Sequence, residues 1–137
     1  MAVLVLDASV VMASVLPDEV HGKTALAVIQ RITIAGAVVP SLWRIEVGNA
    51  LLVTERRKVI LPEQSVTIRS RLAALPITID RETSSHAWEA TLNLARKHGL
   101  TLYDSTYLEL ALRLRLPLAS LDRQLCRAAS AENVDLL

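Results

Sequence analysis

Short unbroken apolar runs alternate along this chain with longer stretches of helical periodicity, and that alternation is what most limits its fold. Residues 3–6 (VLVL), 37–39 (AVV), 75–79 (LPITI) and 118–121 (LASL) have strand length, and the first is Val-rich and uninterrupted, as a strand buried on both faces should be. Between them the periodicity predicts helices over 19–34, 41–58, from Pro62 onward, over 81–98 with Gly99 as C-cap, from Asp104 to 116, and from Asp122 to about 131. A last short strand is expected at 134–137. Strands and helices in this order make an α/β domain with a mainly parallel sheet of four to five strands. No Ser/Gly-rich linker and no internal repeat divides residues 1–137, which read as one domain. A chain of 137 residues can bury roughly two-thirds of the surface its unfolded form exposes, so its core needs no disulfide or structural metal.

Cys126 is the only cysteine, which excludes an intrachain disulfide or a thiolate cage and suits a small core residue. The longest uncharged stretch, 32–43, is twelve residues with Pro40 inside it, too short to span a bilayer; a soluble, cytoplasmic protein without membrane contact is expected. Fifteen basic against 14 acidic side chains give no global positive field, yet 12 of the bases are Arg, the side chain suited to bidentate phosphate contacts. Two Trp, two Tyr and no Phe leave little for base stacking, so any nucleic acid would be held by its backbone. His21, His86 and His98 share no ligand spacing and read as surface residues, while Trp88, Tyr103 and Tyr107 fit core packing or a subunit contact.

Six Asp occur, and four of them, Asp7, Asp80, Asp104 and Asp122, directly follow apolar runs at strand ends or helix starts. In open parallel sheets the ligand crevice lies beyond the carboxyl ends of the strands, but Asp is also a favoured N-cap, and each of these residues alone suits either role. Glu46 is different. It is expected inside the helix 41–58, away from its ends, on a stripe with Leu42, Trp43, Ala50 and Val53. A carboxylate there needs compensation, from an Arg such as Arg44 or Arg57, or from a cation shared with other acids. An all-oxygen cluster suits Mg²⁺ or Mn²⁺.

The segments LVLDASVV, WRIEVGNALL, LTLYDSTYLELALRLRLPLASLD and ENVDLL, in this order and spacing, resemble a PIN-domain ribonuclease of the VapC toxin type. The resemblance covers nearly the whole chain and implies a three-layer α/β/α fold. It also implies a metal site whose four acids fall on Asp7, Glu46, Asp104 and Asp122; Asp80 matches none of them and is left as a helix cap. The implied activity is Mg²⁺-dependent hydrolysis of RNA, with Mn²⁺ as alternative, leaving 5′-phosphate and 3′-hydroxyl ends. The implied partners are an RNA substrate, a cognate antitoxin and a second copy in a homodimer.

Around the acids, Ser9 and Ser120 are placed to hydrogen-bond carboxylates, or else to serve as ordinary caps, and Asn49 lies one turn from Glu46. Arg56 and Arg57 are candidates for RNA phosphates at a helix end where cations also suit the dipole. Rival readings are a catalytically silent binder of the same fold and a phosphoryl-transfer domain of receiver or phosphatase type. The phosphatase needs a second Asp where Ser9 stands, and the receiver leaves Glu46 unexplained.

Overall fold

The computed structural model describes residues 2–18 and 20–137. The strand-length runs form a four-stranded, wholly parallel sheet in the order β3-β2-β1-β4, from β1 (Val5–Leu6), β2 (Ala37–Val39), β3 (Ile77–Ile79) and β4 (Leu118–Ala119). Register is set by Val5 opposite Val38 and Leu118, and Ala37 opposite Ile77. Parallel strands require crossovers, which α1 (Ala8–Val15), α2 (Gly22–Ala35), α3 (Trp43–Arg56), α4 (Pro62–Ala73), α5 (Ala90–His98) and α6 (Leu102–Leu114) supply, with α7 (Arg123–Ala131) after β4. Helices therefore cover both faces of the sheet in three α/β/α layers. That is why Leu4, Val5, Leu6 and Leu118 are fully buried, joined in one core by Val11, Ile32, Leu108 and Leu125.

The order places the sheet's reversal at β1. Its neighbours β2 and β4 are reached in opposite directions, so the crevice of such a sheet opens at the carboxyl ends of β1 and β4. β3 and β4 are the two outer strands, but β3 lies two strand spacings, about 9–10 Å, from β1, whereas β4 is its neighbour.

Several expectations need correction. Residues 134–137 make only a single parallel bridge, Leu136 with Leu118, so the sheet has four strands and not five. The expected helix 81–98 is broken: residues 81–83 are turn, Ser84–His86 a short 3-10 turn, and α5 begins only at Ala90, because Glu89 takes a non-helical backbone and Trp88 turns out to solvent at 87% exposure. Gly99 does end α5, in the left-handed region (φ 65) that favours glycine. The helix expected from 19 begins at Gly22, and Glu19 lies outside the described residues. His98 is no surface residue: its side chain is 11% exposed and bonds Glu132 at 2.6 Å, while His86 is half-buried with Nε2 enclosed. Cys126 is half-buried, its thiol 3.3 Å from the Ser120 carbonyl.

Candidate active site

Asp7 leaves β1 at the sheet's reversal. Its backbone is the N-cap of α1, but its side chain makes no cap hydrogen bond. Instead Oδ2 accepts from the hydroxyls of Ser9 and Ser120, both at 2.7 Å. Each hydroxyl is itself fixed, since Leu121 N–H donates to Ser9 Oγ (3.0 Å) and Asp122 N–H to Ser120 Oγ (3.1 Å). With one lone pair of each engaged by the β4–α7 backbone, the two hydroxyls turn their protons onto Asp7. The loops after β1 and β4 are thus stitched together through one carboxylate oxygen.

The other acids arrive from three further segments. Asp122 follows β4 and does cap α7, accepting from Leu125 N–H at 2.8 Å. Asp104 does not start α6 as expected; Thr101 is the N-cap, its Oγ1 accepting from Asp104 N–H at 3.1 Å, which sets Asp104 in the first turn. Glu46 is likewise in the first turn of α3, just beyond β2, and not away from the helix ends as its sequence setting suggested. Its compensation is no Arg: among the described residues no ion pair reaches it, and the hydroxyl of Tyr107 donates to Oε1 at 2.5 Å.

The four acids lie near enough to one another for their charges to be felt. Burial pushes the Asp7 carboxyl above its ordinary value, against the pull of Ser9 and Ser120, and the Asp122 charge raises it further. Asp104 is raised by burial and then by Asp122 and Asp7; Glu46 is raised by burial, less the Tyr107 hydrogen bond, and then by Asp7 and Asp104. Carboxylates that raise one another's proton affinity in this way would gain from a cation. Four hard oxygen donors fit Mg²⁺ or Mn²⁺ by chemistry. No three Asp, Glu, His or Cys side chains among the described residues are close enough to enclose an ion, so a cation here would keep much of its water, as Mg²⁺ does.

The remaining candidates fall into two groups. Ser9 and Ser120 are in the crevice. Asn49 is exposed and shows no hydrogen bond to Glu46 among the described residues, and Arg56 and Arg57 are exposed at the far end of α3, Arg56 about 15 Å along the axis from Glu46. Asp80 is drawn away by the position of β3: it accepts from Arg113 Nη1 (3.1 Å) and Nη2 (2.6 Å) and from Thr83 Oγ1 (2.9 Å), so it is an ion-pair partner more than a cap.

Sequence reasoning missed Tyr107. It is fully buried, lies one turn after Asp104 on α6, and its hydroxyl is raised well above the usual phenol range by burial and then by Glu46, so it stays a donor. The spacing of three residues from Asp104 was the available signal. Trp88 and Tyr103, by contrast, are exposed and not in the core. Tyr107→Phe is expected to fold, to leave Glu46 without its donor, and to weaken about tenfold any hold of these acids on Mg²⁺. Isothermal titration with Mg²⁺ checks this; an affinity equal to that of wild type would show the bond to be idle.

The comparisons with known proteins bear on the family and the fold. The PIN domain family model matches residues 4–131. Ribonuclease VapC1 of Mycobacterium tuberculosis is 36% identical over 128 residues, spanning 90% of this chain and 92% of that protein. Ribonuclease VapC3 of Pyrobaculum aerophilum is 30% identical over 122 residues, spanning 89% and 91%. Among solved structures, Mycobacterium tuberculosis VapC20, a sarcin-ricin loop cleaving toxin, matches with TM-score 0.66 at 13% identity over 91% of this chain and 94% of that one. FitAcB from Neisseria gonorrhoeae matches with TM-score 0.64 at 15% identity over 98% and 96%. The structures attest the fold, and the sequence matches, running almost end to end, place the chain in the PIN-domain family, among the VapC-type ribonucleases.

Proposed function

We propose that the chain is a metal-dependent endoribonuclease that hydrolyses RNA phosphodiester bonds and acts as the toxin of a toxin-antitoxin pair. The observation that carries this reading is the convergence of Asp7, Glu46, Asp104 and Asp122 from four separate segments, where the charge of Asp122 raises Asp7 and Asp104, and those of Asp7 and Asp104 raise Glu46. Asp7 and Asp104 would hold a Mg²⁺ ion, with Glu46 and Asp122 orienting its waters. The bound ion would polarise the scissile phosphate and lower the pKa of the attacking water. Ser9 and Ser120 fix the direction of the Asp7 carboxylate, and Tyr107 fixes that of Glu46. The intact acids and their supports speak against a silent binder.

A cognate antitoxin would find two features. The crevice suits a basic side chain. A groove of about 280 Å³ between α3 and α4, lined by Trp43, Val47, Leu51 and Leu72 with Arg44 and Arg69, suits an amphipathic segment, and the enclosed Trp43 Nε1 there has no hydrogen-bond partner among the described residues. The homodimer of this reading would cover some of the exposed apolar side chains, such as Trp88 or Ile45. Among the described residues no helix is long and apolar enough to cross a membrane, and the proposal places the protein in the cytoplasm.

Protein purified free of antitoxin should cleave cellular RNA with Mg²⁺ and stop when a chelator is added; equal cleavage in the chelator would end the metal-dependent reading. A second expectation concerns stability. The Asp104 carboxyl lies above its ordinary 3.8 in the folded chain, so the native state binds that proton more tightly than the unfolded state. Its contribution is then greatest at low pH and is lost as pH rises from about 4 through the folded pKa. Metal-free Asp104→Asn protein should therefore melt higher than wild type at pH 7. Mg²⁺ should raise the wild-type melting temperature more than the variant's. A variant that melts lower without metal would show that Asp104 is not under strain.

A further inference from the structure

Helices α5 and α7 carry Arg96, Lys97, Arg123 and Arg127, all exposed, and contain no Asp or Glu. Two sets of side-chain bonds lay these helices together. Gln124 Nε2 donates to the Gly99 carbonyl at 2.6 Å, and Glu132, just beyond α7, binds Lys97 at 2.8 Å and His98 at 2.6 Å. Between them lies a cleft of about 240 Å³ lined by His98, Gln124, Arg127 and Ala128.

The helix dipole accounts for Arg96 and Lys97, which end α5. It does not account for Arg123, which opens α7 at its positive end, with no acid in the first turn. Arg127 follows one turn later, about 6 Å along the axis, on the scale of the phosphate repeat of an extended strand. Neither pairs with a carboxylate among the described residues. Arg123 also follows Asp122 directly, so the strip begins at the rim of the acidic crevice. Arg56, by comparison, lies about 15 Å along α3 from Glu46.

Resting on the ribonuclease reading above, we infer that the strip on α5 and α7, with Arg123 and Arg127 as its main contacts, grips backbone phosphates of the RNA strand on one side of the cut. A crevice of acids repels a polyanion, and cations at its edge supply the attraction that the bound metal alone must otherwise provide.

The test measures binding of a fluorescent single-stranded RNA in EDTA over a range of salt, and kcat and KM for the same RNA with Mg²⁺. Arg123→Gln with Arg127→Gln should flatten the slope of log K against log salt by about 1.4, two contacts at about 0.7 each, and raise KM more than it lowers kcat. Arg123→Lys with Arg127→Lys should keep the slope. Lys23→Gln with Arg31→Gln, an equal charge loss on α2, should leave it unchanged. An unaltered slope and KM in the Gln pair, or equal flattening in the α2 pair, would overturn the inference. So would retained RNA binding with lost binding of poly-glutamate, which assigns the strip to an acidic polypeptide. Wild-type protein that cuts no RNA in Mg²⁺ removes the ribonuclease reading and this inference together, whereas an active wild type with an indifferent Gln pair removes the strip alone.

Discussion

Asp7→Asn protein should fold and lose RNA cleavage by at least about a hundredfold, the upper end of what removal of a residue supporting a metal site costs. The geometry says why the fold survives. Both hydroxyls that hold Asp7 donate to one oxygen, Oδ2, and each already accepts from a backbone N–H, Ser9 from Leu121 and Ser120 from Asp122. An Asn can place its carbonyl oxygen where Oδ2 stands, keep both donors, and turn its amide toward the crevice. That amide brings N–H donors to a place where a cation would need an acceptor. The charge lost is one that burial already opposes, so the metal-free variant should be no less stable than wild type. Cleavage time courses in Mg²⁺ and melting curves in EDTA check both halves. Cleavage at the wild-type rate would refute the assigned role, while collapse of the fold would show that Asp7 is structural.

The parts of this site that could be read from sequence are those that depend on local position. Asp7 and Asp122 are visible because each directly follows an apolar run, and the ends of parallel strands are where such sheets bind ligands. β2 was legible to the residue because Gly36 and Pro40 bracket it. What sequence could not supply was strand order. Asp80 has the same local setting as Asp122, yet of the two edge strands β3 is separated from β1 by β2 while β4 pairs with β1, and only that pairing brings Asp122 beside Asp7. Glu46 drew notice as a helical acid with apolar neighbours, though it stands in the first turn of α3 beside the buried stripe Trp43, Val47 and Leu51. Tyr107 was hidden for a different reason. A buried phenol and a buried Phe have the same periodicity, and the direction of one hydroxyl is a tertiary fact. The broken helix at 81–89 also lay beyond local propensity, which does not show that Trp88 fails to find a core.

The largest stability effect should come from outside the crevice. Arg113→Met is expected to cost about 3–5 kcal/mol near neutral pH, the usual price of leaving buried charges without their partner. Arg113 Nε and Nη2 donate to Glu109 at 2.9 and 3.0 Å, and Nη1 and Nη2 to Asp80 at 3.1 and 2.6 Å. The Asp80 and Glu109 side chains are only 8% and 6% exposed. This network ties α6 to the end of the edge strand β3, and Thr83, which donates to Asp80 at 2.9 Å, extends it by accepting from Ser41 N–H at 3.0 Å. The pH dependence has a definite sign. Burial alone would raise the Asp80 carboxyl, but Arg113 and Thr83 hold it below its ordinary 3.8, so in wild type its contribution is present above about pH 4 and is lost as pH falls through the folded value. In the variant, the buried Asp80 carboxylate loses the guanidinium that holds its pKa down, burial is left to raise it, and protonation relieves it. The gap between variant and wild type should therefore narrow as pH falls from 7 toward 4, as read from urea midpoints at each pH. Converting the whole cluster with Arg113→Met, Asp80→Asn and Glu109→Leu should recover most of the loss, because the cost lies in the orphaned charges more than in the bonds. A single variant as stable as wild type at pH 7, or a gap that widens on acidification, would mean that the network contributes little to the fold.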